Sequence, residues 1–396
     1  MKSQFRGFLF EAKHLTGLLV AVATVAVFLY MGVGAVAQSK STLSALPPTP
    51  QAPKDNPTTP AKVALGRLLF WDPLLSGPQD VACASCHHPQ NGYAEDRDLS
   101  LGVTAIGLGS KRRQAPGSSI PIVKRNSPTV VNIAFSGSDA SGRYDPATAP
   151  MFWDLRVKSL EKQALEPLKA HEEMRGTTYK EDEAVASVVA KLQANAEYRS
   201  LFAGAFGGAQ PVNAENLGRA IAAFERTLLA NNSPFDRYMR GDRSAMTEEQ
   251  VSGMQRFERV GCIKCHNGPM FSDYKLHVMG VPDNPALPAS DDGAEKTYAF
   301  RTASLRNLAF TAPYEHNGMF RTLSDVVGFY EDARGGRSRN PNVSSEKLDP
   351  LIRELGDFDE EDVDLVEFLR ALSDDSFDRT IPERVPSGLP VGGRIQ

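Results

Sequence analysis

Apolar residues recur at intervals of three and four along several stretches of the chain, a spacing that gathers them on one face of an α-helix. These stretches run from Ala61 to Phe70, Ser159 to Leu168, Glu181 to Leu192, Ala214 to Leu229, Thr247 to Val260, Leu323 to Ala333 and Glu360 to Leu372. No run alternates apolar and polar side chains as a half-buried strand would. Thr247 with Gln250, and Thr322 with Asp325, have the three-residue spacing of N-terminal helix caps. Gly- and Pro-containing loops lie between the helices, with Val281 to Lys296 expected as a surface loop. The pattern predicts an all-α protein.

The ends read differently. Lys2, Arg6 and Lys13 precede a nearly unbroken apolar run, Gly17 to Val36, that closes on Ala35-Val36-Ala37. This has the form of a signal peptide, residues 1–37, or of an uncleaved N-terminal anchor, and either places the functional part in the periplasm. Residues 38–60 are rich in Pro, Ser and Thr, which predicts a flexible linker. The folded part is expected to start at Ala61 and to divide near Asn231 to Asp236 into residues 61–232 and 233–385, with 386–396 as a tail. Removing Lys2, Arg6, Lys13 and Glu11 leaves 41 basic and 47 acidic side chains, a balance that argues against nucleic acid as a partner. A membrane enters only if the N-terminal segment stays uncleaved.

Chemistry enters with the cysteines. All four sit in two copies of one motif, Cys83-Ala84-Ser85-Cys86-His87 and Cys262-Ile263-Lys264-Cys265-His266. Cys-x-x-Cys-His is the attachment sequence of c-type haem, in which two thiols bond the porphyrin and the histidine takes the iron. Zinc binding and a redox dithiol are the competing readings, and both leave the trailing histidines unexplained. The motifs predict two covalently bound haem c groups, one in each of two cytochrome c-like domains, with His87 and His266 as proximal ligands.

Between and beyond these sites the chain carries Asn126-Ser127-Pro128-Thr129, Phe152-Trp153-Asp154, Ser233-Pro234-Phe235-Asp236-Arg237-Tyr238, Ser304-Leu305-Arg306-Asn307 and Pro313-Tyr314-Glu315-His316-Asn317-Gly318. In this order, from about Ala61 to about Leu372, they resemble the bacterial di-haem cytochrome c peroxidase family, and within it the MauG-like branch. The resemblance implies that the N-terminal haem meets hydrogen peroxide and the C-terminal haem relays electrons. It puts an acid-base carboxylate at Glu173, with Gln163 and Pro167 shaping the same pocket, and a relay tryptophan between the haems at Trp153. Without the family, Glu173 would read as a solvated carboxylate and Trp153 as packing. It also implies one calcium ion held by Asn126, Thr311 and Pro313.

Two positions separate branches of the family. Where activation-dependent peroxidases carry a histidine that blocks the resting iron, this chain has Leu108, and no histidine occurs between His88 and Asn126. His171 is the one histidine left that could reach the distal side. Where peroxidases place a methionine ligand on the second iron, this chain has Tyr330, with Met319 and Met279 as the competing ligands. Leu323, Val326, Val327 and Tyr330 fall on one helical face, which aims Tyr330 inward. Tyrosinate ligation favours high-valent haem iron.

The expected function is therefore that of a periplasmic oxidoreductase of MauG type, using hydrogen peroxide at an open first haem to oxidise a protein substrate. One alternative is a cytochrome c peroxidase fed by a small periplasmic cytochrome or copper protein. The other is a non-catalytic two-haem electron carrier, which Glu173 speaks against. One departure bears on the substrate: Val260-Gly261 stands where MauG has the surface tryptophan that draws electrons from its protein substrate.

Overall fold

Two helix pairs organise the chain, and each is tightened by a glycine. In the first half, helix Pro60–Trp71 crosses helix Ala214–Glu225. A Cβ on Gly66 would lie 2.0 Å from Ala220 O, so only glycine permits this approach. In the second half, helix Glu248–Val260 crosses helix Asp362–Ala371, and Gly253 faces Asp364 O at 1.9 Å in the same sense. Beside each crossing an edge-to-face aromatic pair fills the gap, Phe70 on Phe224 and Phe257 on Phe368, both with centroids 5.3 Å apart. Both halves also place an asparagine in left-handed conformation ahead of a short helical turn, Asn132 before Ile133–Phe135 and Asn307 before Leu308–Phe310. The halves are thus built on one plan, with a cysteine motif after the first helix of each.

This is a computed structural model that describes residues 42–358 and 362–396. The apolar N-terminal segment expected as a signal or anchor lies outside the described residues. Among the described residues no helix is long and apolar enough to cross a membrane. The fold is helix-rich, and among the described residues the strands form three two-residue antiparallel pairings: Ala105–Ile106 with Arg113–Gln114, Pro150–Met151 with Val157–Lys158, and Leu276–His277 with Phe300–Arg301. One apolar cluster gathers Leu65, Leu69, Leu192, Tyr198, Phe202 and Leu217, and another gathers Phe235, Phe257, Phe271 and Phe368.

The caps at Thr247 and Thr322 form as reciprocal boxes with Gln250 and Asp325, opening helices Glu248–Val260 and Leu323–Arg334. Other boundaries differ. The helix expected from Ser159 to Leu168 runs only over Leu160–Gln163, because Pro167 brings no N–H and restricts the residue before it. Helix Ala184–Ala194 begins later than its pattern, and Ala214–Glu225 ends before Leu229. Helix Asp362–Ala371 begins at the edge of the undescribed residues. A further helix, Ala196–Phe206, had its signal in the sequence: Asn195 caps it through Tyr198 N, and Tyr198, Leu201, Phe202, Ala205 and Phe206 share a face.

The expected flexible linker is a correction. From Thr42 the chain is packed, with Leu43 and Leu46 fully buried. Leu43 joins the Phe235 cluster, Leu46 N donates to Asp236 Oδ1, and the Asn231 amide donates to Pro47 O. Prolines remove donors but not acceptors, so a Pro-rich segment can be fixed through its carbonyls. The tail is fixed as well. Ser387 binds Asp72, Gly392 N donates to Trp71 O, and Arg394 N donates to Asp80 O. The N-terminal segment is therefore shared, with Leu43 and Leu46 on the second half and Asn56 bonded to Glu161 and Arg219 O of the first, while the C-terminal tail lies on the first.

Candidate active site

At the first cysteine motif, the short helix Cys83–Cys86 is closed by Ser85 Oγ, which accepts from Ala82 N at 2.9 Å. His87 Nδ1 lies 3.0 Å from Tyr93 O, so it carries the proton and donates to that carbonyl. Burial lowers its pKa, which keeps the imidazole neutral. Nε2, 3.2 Å from the Ser127 hydroxyl, is left as the electron-pair donor. The second motif repeats the device, with His266 Nδ1 on Phe271 O at 2.9 Å and its pKa likewise lowered by burial. Orientation of a ligating histidine through its other nitrogen is what an iron ligand requires. None of the four cysteines is in a disulfide, and burial pushes the Cys83 thiol up to about 12. Two cysteines outside any disulfide and an oriented neutral imidazole at each motif fit a covalent haem.

Glu173 lies in a wide helical turn, His171–Arg175, and faces the first motif closely enough to act on both the Cys83 and Cys86 thiols. Burial first, and the Glu172 carboxylate second, raise it to about 7. Two further carboxylates that the sequence did not single out share this region. Glu95 is 1 % exposed, with no hydrogen bond to either oxygen and Arg112 Nε 3.9 Å from one of them, and burial raises it to about 7 against the pull of that guanidinium. Glu225, at the end of its helix, is raised to about 8 by burial and acts on Cys83. Nothing in the local pattern marks either, since a lone Glu is usually solvated. Gln163 is half-buried at the end of its short helix, and no hydrogen bond joins it to Glu173 among the described residues.

The distal loop carries Leu108 half-buried just before the turn Gly109–Lys111. His88 is engaged elsewhere, edge-on to Trp71 at 5.5 Å with its Nδ1 accepting from Gln90 N. His171 Nδ1 bonds Gly176 O, closing its own turn.

The second motif opens on a large, mainly apolar cavity that Cys262, Cys265, His266, Trp153, Met279 and Tyr330 line together. Leu323, Val326 and Val327 line it too, as one face of helix Leu323–Arg334. Met319 does not. Burial first, then Glu315, Cys265 and Cys262, hold the Tyr330 phenol well above its ordinary value. His277 bridges Asp273 and Asp349, with Nδ1 2.7 Å from Asp349, and the Asp273 bond first raises it to about 11. Cys265, Asp273 and His277 together are spaced as a metal triad, but the thiol is claimed by the haem motif.

Trp153, 8 % exposed, follows Phe152 on the connection between Pro150–Met151 and Val157–Lys158. Its Nε1 donates to Asn126 O at 3.0 Å, one residue before the Ser127 that touches His87, while its ring meets His316 edge-on at 6.4 Å. It therefore touches the surroundings of both motifs. Asn126, Thr311 and Pro313 all line the cavity. The Asn126 amide nitrogen is engaged by Arg97 O, which leaves its oxygen as the atom a hard cation would use.

Residues 60–244 match the model of the di-haem cytochrome c peroxidase family. The chain is 35 % identical to cytochrome-c peroxidase IdrP1 of Pseudomonas sp. over 84 % of its length and 85 % of that protein. It is 34 % identical to the methylamine utilization protein MauG of Methylorubrum extorquens, covering 84 % and 83 %. Among solved structures, a MauG-like protein associated with microbial copper homeostasis superposes with a TM-score of 0.66 at 28 % identity, over 84 % of this chain and 95 % of that one.

Proposed function

This chain belongs to the di-haem cytochrome c peroxidase family, a family of haem peroxidases, and we propose that it is a MauG-type member acting in the periplasm. It would bind two covalent haem c groups, one at Cys83, Cys86 and His87 and one at Cys262, Cys265 and His266. Bound haem supplies the iron that reduces hydrogen peroxide and holds the oxidising equivalents. The chain's own residues supply the rest.

Glu173, with its pKa near 7, accepts a proton from one peroxide oxygen and returns it to the other, the transfer that heterolytic O–O cleavage needs. Trp153 links the two sites by giving up and regaining an electron. Tyr330 and His266 would hold the second iron, with the phenol giving up its proton only when it binds the metal. Asn126, Thr311 and Pro313 would hold a calcium ion between the sites.

The observation that carries this reading is Tyr330 in one cavity with Cys262, Cys265 and His266. One feature favours the second reading, a peroxidase served by a small redox protein. Val260 is buried and Gly261 is the helix cap, so no aromatic side chain stands there to collect electrons from a protein substrate. Electron paramagnetic resonance and optical absorption on the ferric protein test the proposal. One high-spin and one low-spin iron at rest, both responding to one equivalent of peroxide without prior reduction, is the expected result. Two low-spin irons that ignore peroxide until one is reduced would refute it.

A further inference from the structure

We propose that the C-terminal segment 387–394 is a working part of the peroxide site: a strap that fixes the distal loop 101–112 and, through it, positions Glu173. The inference rests on reading the first haem as the peroxide site. The strap is tied at both ends. Ser387 bonds Asp72 through its hydroxyl at 2.6 Å and its N–H at 3.2 Å, and Asp72 is itself held by Tyr198 OH at 2.7 Å. Further along, Gly392 N donates to Trp71 O at 2.8 Å, while Gly392 O accepts from Ser85 Oγ at 2.8 Å, inside the first haem motif. Gly393 then pairs with Val81.

The last link reaches the loop. Arg394 N donates to Asp80 O at 2.9 Å and Arg394 O accepts from Gly107 N at 2.8 Å, next to Leu108. Asp80 Oδ2 also accepts from Thr104 N at 2.8 Å, so strap and loop share one anchor. The loop moves as a body, because the buried Arg112 guanidinium donates to Leu101 O at 2.7 Å, Gly107 O at 3.0 Å and Gly102 O at 3.1 Å. On its inner side Val103 N donates to Glu173 O at 2.8 Å. A connected set of bonds, mostly backbone and with the Asp80 carboxylate and Arg112 guanidinium as side-chain links, thus runs from Arg394 to the acid-base residue. Its inner links involve the buried Asp80, Leu101, Gly102, Val103 and Arg112, where an unmade bond is costly.

The experiment compares two strap variants with wild type as two-haem holoprotein. One is a chain ending at Pro386. The other is Gly393→Ala, in which a Cβ would fall 2.3 Å from Asp80 O at a φ of +77°. Gly208→Ala, outside the strap, is the control, at a φ of +79° with nothing within 4 Å. Both strap variants should raise amide deuterium uptake in 101–112, slow the peroxide reaction tenfold or more and move the midpoint of its pH profile. The low-spin signal of the second haem should stay as in wild type, and Gly208→Ala should leave loop uptake and rate alone. Unchanged uptake in both strap variants overturns the proposal, and so does faster uptake with an unchanged rate and pH midpoint. A wild-type protein inert to peroxide, whose loop still loosens in the variants, would instead defeat the reading of the first haem and leave the clamp standing.

Discussion

Replacing Glu173 by glutamine keeps the side chain's shape and removes its capacity to take a proton. A positioned acid-base group is worth about 10²–10⁴ in rate, or about 3–5 kcal/mol of barrier. With its pKa raised to about 7 by burial and then by Glu172, the Glu173 carboxyl is half ionised at neutrality. The ionised form accepts the proton, so the wild-type rate should climb with pH, from roughly a tenth ionised at pH 6 to roughly nine tenths at pH 8. Stopped-flow absorbance of the ferric protein with peroxide should therefore show a rise of about tenfold over that interval. Glu173→Gln should be at least ~100-fold slower and flat with pH. Glu172→Gln should keep the rise but move its midpoint below 7, because the neighbouring charge that lifts Glu173 is gone. A Glu173→Gln rate within a few-fold of wild type, with the same pH slope, would refute the assignment.

Tyr330→Met or Tyr330→Phe should change the absorption and EPR of the low-spin haem and shift its potential upward, and an unaltered spectrum would exclude the phenol as a ligand. Trp153→Phe keeps the packing and removes the indole that donates to Asn126 O, so rapid-freeze EPR should show the response of the second haem to peroxide slowed tenfold or more. Equal kinetics would leave Trp153 a packing residue. Arg306, 2 % exposed, bonds Asp236 at 2.9 Å, Pro269 O at 2.8 Å and Ser44 O at 3.3 Å, joining the N-terminal segment to the second half. Arg306→Leu leaves Asp236 buried without its partner charge and should cost about 3–5 kcal/mol in denaturant unfolding. A loss below ~1 kcal/mol would show that the pair contributes little.

Much of the site was legible in the sequence because its signals are short-range. The two Cys-x-x-Cys-His motifs, the boxes at Thr247 and Thr322 and the apolar face ending at Tyr330 each lie within about two helical turns, and local geometry is enough to read them. Family motifs then named Glu173 and Trp153, which spacing alone would have left as a solvated carboxylate and a packed ring.

Tertiary structure decided what joins residues far apart. Glu95 and Glu225 became buried carboxylates only because the first half closes over them. Residues 42–60 and 386–396, by composition a linker and a tail, are held largely through their backbone groups by partners up to some three hundred positions away, such as Asp80 O with Arg394 N. Carbonyl and amide groups are the same at every residue, so a contact made through them leaves no mark in the side-chain pattern. The sequence by itself determined the two Cys-x-x-Cys-His motifs and which helices flank them; only the folded chain decided which segments close around the first of them.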